Sequence, residues 1–191
     1  MTANYLQSLN WKEDPQLHKH IVTFYTKAKA FKSLALFYEL CAEVEVEDFG
    51  NYSKAAAALK QALLYLDKEE QREVEDESRM NRKILYFEKM LEISNLPFSE
   101  HLERLCADLL SDTSLEKYGV KRGDVHSYLF KAANKANNLS AAYEAYKRMR
   151  GDGVDPEDYL EEADVERVLK ANGKAMPKFQ EEEEVDSLPL H

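Results

Sequence analysis

The stretch FGNYSKAAAALKQALLYL, Phe49 to Leu66, places four consecutive alanines between a Gly-Asn-Tyr turn signal and a series of spaced leucines. Ala55, Leu59, Ala62 and Leu66 lie on one face of a helix, because their offsets follow the helical period. Alanine buries little apolar surface by itself, so the run is best interpreted as a place where a neighbouring helix comes close. The stretch therefore predicts stacked helices.

The same stretch is similar to the second helix of a tetratricopeptide repeat. The matching positions are Gly50, Asn51, Tyr52, Ala55, Leu59, Ala62 and Leu63. A second, weaker copy comprises Asn138, Leu139, Ala142, Tyr146 and Met149. Leu139 follows Tyr52 by 87 residues, which is no multiple of the usual repeat of about 34 residues. Signatures of the first helix are mostly missing, so an irregular array with insertions is expected. Helix propensity alone is the other explanation of the alanines.

The whole chain has the composition of a helical protein. Its 191 residues include only six glycines and five prolines, which favours long helices with short links. Capping and periodicity signals predict helices at Ala3 to Trp11, from Pro15, at Phe31 to Val46, Tyr52 to Asp67, Arg72 to Ser94, after Ser99, and at Val125 to Ala136, Ser140 to Arg150 and Glu157 to Ala171. Asp14, Ser99 and Asp124 are the expected N-caps. We expect the charged first half of the helix from Arg72 to project into solvent.

Charge is distributed unevenly and suggests the domain organisation. The formal net charge is −10, and residues 155–191 carry twelve acids and four bases. We predict one irregular tetratricopeptide-like helical-hairpin solenoid at residues 1–173 and an acidic disordered tail at 174–191. The tail contains Glu181, Glu182, Glu183 and Glu184, which we interpret as solvated or, alternatively, as a segment that docks on a basic surface.

A competing interpretation is RNA binding. AYEAYKRMRGDGVDPEDY resembles the end of a pentatricopeptide repeat, a unit that reads one RNA base per repeat. Such an array needs several copies and a basic surface, whereas this chain has one copy and a net negative charge. We therefore expect no nucleic-acid partner.

No arrangement of residues suggests catalysis. His18 and His20 diverge on a helix, and His101 and Cys106 also diverge, so a metal site is not predicted. Cys41 lies in an apolar helical pattern, as Cys106 does, and both are expected to be reduced core thiols. We predict no catalytic residue, no cofactor, no small-molecule substrate and no membrane insertion. Without a signal peptide, the expected compartment is the cytoplasm or a space continuous with it.

Two blocks of sequence resemble the C-terminal tetratricopeptide region of intraflagellar transport protein 140, a subunit of intraflagellar transport complex A. The first block, Leu9 to Leu66, contains NW at Asn10 with DP at Asp14, FYTKA at Phe24, LALFYELCAEVEV at Leu34 and NYSKA at Asn51. The second block is Arg122 to Arg150. Between Gln71 and Tyr118 the resemblance is faint.

The resemblance implies a non-catalytic scaffold that binds other complex A subunits in the cilium, at the ciliary basal body and in the cytoplasm. It also implies a role in retrograde transport and in ciliary entry of membrane proteins, and a chain that is part of a longer protein. The family provides no contact residues. On physical grounds we select Trp11, the sole tryptophan, and Glu181 to Glu184 as candidate contact residues, with core burial as the alternative for Trp11.

Overall fold

A computed structural model describes Leu6, residues 9–69 and residues 74–175. All regular structure in these residues is helical, which confirms the all-α prediction. The α-helices are α1 (Pro15–Lys27), α2 (Phe31–Glu47), α3 (Tyr52–Leu66), α4 (Val74–Asn95), α5 (Glu100–Ser111), α6 (Arg122–Lys135), α7 (Leu139–Gly151) and α8 (Glu162–Ala171). Short 3-10 turns at Glu116–Tyr118 and Pro156–Asp158 precede α6 and α8.

Consecutive helices pack against each other, and the most extensive contacts join α2 with α3 and α6 with α7. The α3 helix also packs along α4, so the hairpins stack into one layer after another. This arrangement confirms the predicted helical-hairpin solenoid. Most of the helix predicted at Ala3 to Trp11 falls outside the described residues.

Three links between helices share one backbone geometry. Lys29, Gly50 and Asn137 have positive φ angles of 53°, 59° and 56°. In each case the next residue is the N-cap of the following helix, with φ between −97° and −84° and ψ between 65° and 78°. Glycine suits this turn because it has no Cβ to clash in the left-handed region. Such short links turn each helix back along its predecessor.

The two motif copies occupy equivalent places in their hairpins. Asn51 accepts a hydrogen bond from the backbone N–H of Lys54 at 3.0 Å, and Asn138 accepts one from Ala141 at 3.1 Å. The corresponding core positions are all buried: Ala55 and Ala142, Leu59 and Tyr146, Ala62 and Met149. Because α4 and α5 lie between the two hairpins, the copies are separated by more than one repeat length.

Small side chains line both helices of the first hairpin. Ala35 and Ala42 of α2 and Ala55 and Ala62 of α3 belong to one core cluster, and none is more than 1% exposed. Helix separation depends on the side chains at the contact, so methyl groups allow a close approach. The alanine run therefore packs as part of a hairpin core, and Leu63 lies half-buried beside it.

The expectation that the charged first half of α4 projects into solvent is wrong for one of its faces, although other side chains of this half, among them Glu75, Ser78 and Arg82, are exposed. Asp76, Met80 and Lys83 are buried, and the Lys83 ammonium group donates a hydrogen bond to Glu43 of α2 at 2.7 Å. Glu39 of α2 accepts hydrogen bonds from Arg79 at 3.1 and 2.9 Å and lies 2.9 Å from the Lys83 ammonium group. The charges of α4 are thus paired across a helix interface, which offsets the desolvation of both partners.

The starts of three helices test the N-cap predictions. Asp14 and Ser99 accept hydrogen bonds from the first turns of α1 and α5, as predicted for N-caps. Asp124 does not cap a helix, because α6 begins at Arg122 with Lys121 in the N-cap position. Asp124 instead binds a distant tyrosine, so a tertiary contact replaces the capping role.

Candidate protein-binding groove

The two halves of the chain meet at the start of α3 and the start of α6. The Tyr52 hydroxyl donates a hydrogen bond to Asp124 Oδ2 at 2.6 Å and accepts one from the Lys121 backbone N–H at 3.4 Å. The Lys121 side chain donates to the Glu47 carbonyl at 3.1 Å. Burial raises the pKa of the Asp124 carboxyl, although the bond from Tyr52 acts in the opposite direction. These contacts bring α2 and α6 to opposite sides of one cleft.

We call this cleft the central groove, and its volume is about 440 Å³. It is lined by α2, α4, the start of α6 with the segment before it, and the segment before α8, through Ala42, Glu43, Val46, Glu47, Lys83, Phe87, Glu116, Lys117, Gly119, Val120, Lys121, Arg122, Gly123, Val154 and Tyr159. Apolar side chains and glycines form much of its lining, and charged side chains provide the rest. A protein segment of mixed polarity fits such a surface better than a small apolar ligand does.

Two glycines allow side chains to lie directly on the backbone of the groove. A Cβ on Gly123 would be 2.2 Å from the ring of Tyr159, which is closer than real contacts allow. A Cβ on Gly119 would lie 3.5 Å from the ring of Phe87, and its φ of 83° already favours glycine. The absence of a side chain at Gly123 therefore allows the Tyr159 ring to pack against the backbone of α6.

Several cations of the groove already have partners within the chain. Lys83 is bound by Glu39 and by Glu43 at 2.7 Å. Arg122 donates to the Leu110 carbonyl at 2.9 Å. Lys117, by contrast, is exposed, and its ammonium lies 5.7 Å from the centre of the Tyr118 ring. Exposed charges such as Lys117 are the ones that a partner can reach without breaking internal bonds.

A buried histidine connects α6 to the end of α7. His126 is 1% exposed, and its Nε2 lies 2.9 Å from Asp152 Oδ2. The same carboxylate oxygen accepts a hydrogen bond from Arg122 at 2.9 Å. The bond from Arg122, assisted by His126, holds the pKa of Asp152 below its ordinary value. These contacts join α6 to the end of α7 within the second hairpin, and Arg122 also lines the central groove.

The depressed pKa of Asp152 predicts a pH-dependent contribution to stability. A carboxyl whose pKa is lowered by folding stabilises the fold above its unfolded pKa of about 3.9 and loses that effect as pH falls through the folded pKa. Asp152→Asn should therefore lower the free energy of unfolding by about 1 kcal/mol at pH 7. The difference from wild type should shrink below about pH 4, as measured by urea denaturation across pH.

The control for that series is Asp158→Asn, which removes an exposed carboxylate of the same type. It should change stability little at any pH. If the difference in the free energy of unfolding between wild type and Asp152→Asn stays constant down to about pH 3, the charged contact is contradicted.

The two cysteines lack the lowered pKa that a nucleophilic thiol needs. Burial raises the pKa of the Cys41 thiol to about 12 and that of the Cys106 thiol to about 12. Both thiols therefore remain protonated near neutral pH. His18 lies 3.6 Å from Cys41 Sγ and packs among aromatic rings, with its pKa lowered by burial. In residues 9–69 and 74–175, no group of three or more His, Cys, Asp or Glu side chains is arranged to hold a metal ion.

The described helices include none that is both long and apolar enough to cross a membrane. The exposed surface instead carries separate large apolar side chains, such as Phe49 after α2 and Leu64 on α3. Isolated exposed side chains of this kind are normal on proteins and do not by themselves mark a site.

The predicted contact residues occupy different environments. Trp11 is 8% exposed and packs edge-on against Phe37, with ring centres 5.0 Å apart, in a small cluster formed with side chains of α1 and α2. Its role as a partner anchor stays a prediction. Glu181 to Glu184 lie outside the described residues. The predicted domain boundary after residue 173 also stays a prediction.

Sequence reasoning missed the residues that shape the groove. The signal for Lys83 was present, because Met80, Lys83 and Phe87 follow a helical period on one face of α4. A lysine on an apolar face indicates a buried partner, which is Glu39. No local signal identifies the contact between Tyr52 and Asp124, since 72 residues separate them.

Comparison with known protein families supplies the identity of the fold. The model of one family, described as the C-terminal TPR domain of intraflagellar transport protein 140, matches residues 32–150, which is more than half of the 191-residue chain. The match begins in α2, ends in α7 and therefore includes both hairpins and every helix that lines the central groove. The chain belongs to this family of C-terminal TPR domains of intraflagellar transport protein 140.

Proposed function

We propose that the chain is a non-catalytic protein-binding scaffold of intraflagellar transport complex A. The family match over residues 32–150 is the observation that carries this proposal. In this role the chain binds other complex A subunits and supports retrograde transport and ciliary entry of membrane proteins. It acts in the cilium, at the basal body and in the cytoplasm, with no small-molecule substrate, nucleic acid or direct membrane insertion.

The central groove is the surface best suited to a partner segment. It combines an apolar floor with exposed charges of both signs, including Glu47 and Lys117. Stacked hairpins present such grooves on a rigid frame, so a partner can bind without an ordering cost in the scaffold. The thiols of half-buried Cys41 and buried Cys106, both with raised pKa values, support a binding role over covalent catalysis.

A pull-down of the full chain against each of the other complex A subunits tests the proposal. We expect at least one subunit to be retained. Glu47→Arg combined with Lys117→Glu should weaken that binding about tenfold, because like charges would then face the partner across the groove. The dissociation constant, measured by biolayer interferometry, reports this change.

Lys19→Glu on α1 is the control, since Lys19 is exposed and does not line the groove. Retention of no subunit would contradict the scaffold role. Unchanged affinity in the groove variant would contradict the groove as the contact surface. A steeply salt-dependent RNA complex in filter binding would favour the pentatricopeptide-like alternative instead.

A further inference from the structure

A second cleft lies at the C-terminal end of the stack. This cleft, the C-terminal groove, has a volume of about 440 Å³. It is formed by α7, the end of α8 and residues just after it, through Tyr143, Tyr146, Lys147, Arg150, Gly151, Leu169, Lys174 and Ala175. Ala175 is the last residue that the structure describes, so the described chain ends inside this groove.

The lining of the C-terminal groove is cationic and aromatic. It includes three cations and no acidic residue. Arg150 and Lys174 form no ion pair with the residues that the structure describes. Lys147 lies 2.7 Å from Glu144, but both side chains are about half exposed, so that pair is weak. The dipole of α7 favours cations at its own end, yet it gives no reason for Lys174, which follows α8.

The sequence that continues from this groove has the opposite charge. Residues 176–191 contain Glu181 to Glu184 and Asp186 against the single base Lys178, a net of −4. They also contain Phe179, four positions after Ala175. A segment with an aromatic ring followed by carboxylates is complementary to tyrosine walls and exposed cations.

The geometry allows this segment to reach the groove. Glu181 lies six positions after Ala175, and an extended chain of that length spans about 20 Å. The helical distance from Tyr143 to Arg150 is only about 10 Å. A short tether also gives an effective concentration in the millimolar range, so a few weak charge contacts suffice to hold the segment.

We propose that the acidic segment Glu181 to Glu184 docks in the C-terminal groove of its own chain, against Lys147, Arg150 and Lys174. The docked segment contacts α7 and the residues just after α8, which line this groove. The proposal does not depend on the identity of any partner of the central groove.

Nuclear magnetic resonance of the full chain tests the proposal. In low salt, the spectrum of the wild type is compared with that of a variant in which Glu181, Glu182, Glu183 and Glu184 are all replaced by glutamine. We expect the backbone amide resonances from Tyr143 to Gly151 to shift in the variant. Raising the salt to about 0.5 M should shift the same wild-type amides in the same direction, since exposed ion pairs are screened. The variant should respond much less to salt.

Arg150→Glu provides the reciprocal measurement and should shift the amides of Glu181 to Glu184. Lys27→Glu, on α1 and outside the groove, is the matched control and should leave them unchanged. Circular dichroism melting verifies that each variant is folded. If the glutamine variant shifts only amides of the substituted segment itself, the self-docking proposal is overturned and the groove is free for an acidic segment of another protein.

Discussion

Glu39→Ala should lower the free energy of unfolding by about 3 kcal/mol, the lower end of the range for breaking a buried ion pair. Glu39 is 6% exposed and binds both Arg79 and Lys83. Without it, the Lys83 side chain, only 10% exposed, keeps a single carboxylate partner. Arg79 is 37% exposed and can regain water, which is why the upper end of the range is not expected. Urea denaturation at pH 7 measures the loss.

Glu43→Ala is the matched control for Glu39. Its carboxylate also binds Lys83, at 2.7 Å, but its side chain is 47% exposed. The control should cost less than about 1 kcal/mol, because exposed ion pairs contribute little. Equal losses in the two variants would contradict the burial-based account of the contact between α2 and α4.

The stabilisation that Glu39 provides through Arg79 and Lys83 also depends on pH. Burial disfavours the Glu39 carboxylate, but hydrogen bonds from Arg79 and Lys83 outweigh burial and hold its pKa below the ordinary value. The stabilisation is therefore complete above the unfolded pKa and decreases as pH falls through the folded pKa. The destabilisation caused by Glu39→Ala should accordingly be smaller in acid than at pH 7.

Ala55→Leu should destabilise the first hairpin by about 2–3 kcal/mol, because added methylenes in a filled core force side chains or backbone to shift. Ala55 is 0% exposed and belongs to the core cluster that contains Ala42 of the facing helix. Both residue types have high helix propensity, so the substitution tests packing rather than helix formation. Thermal melting followed by circular dichroism reports the change.

Ala57→Leu supplies a closely matched comparison. Ala57 lies two residues away on the same helix and is exposed, so the same atoms are added on the solvent side. Its effect should stay within about 0.5 kcal/mol. If Ala55→Leu and Ala57→Leu melt at the same temperature, α3 does not approach its neighbours closely at the alanine run.

Local patterns were sufficient for much of the hairpin architecture. The face formed by Ala55, Leu59 and Ala62 could be identified because burial on one helix repeats with the helical period. Caps at Asp14 and Ser99 could be identified because their hydrogen bonds are made within three residues. In each case, the residues that determine the feature lie within one or two helical turns of one another.

The sequence alone was insufficient where contacts are distant in the chain. Charges at the start of α4 indicate solvent under the usual rule, and only the position of Glu39, 40 residues before Arg79, reverses that conclusion. Asp124 satisfies the local rule for a cap, but Tyr52 binds it across the stack. The central groove exists only once α2 and α6 lie near each other, which no single helix pattern specifies.

The bridge between Tyr52 and Asp124 has a consequence for how the solenoid comes apart. In an ideal linear array each unit touches only adjacent units, so the ends can unzip one unit at a time. Here the hydroxyl of Tyr52 on α3 donates a hydrogen bond to the carboxylate of Asp124 on α6. Unfolding of either helix breaks this hydrogen bond and exposes Tyr52 and Asp124 to water. Unfolding of α3 is therefore coupled to unfolding of α6.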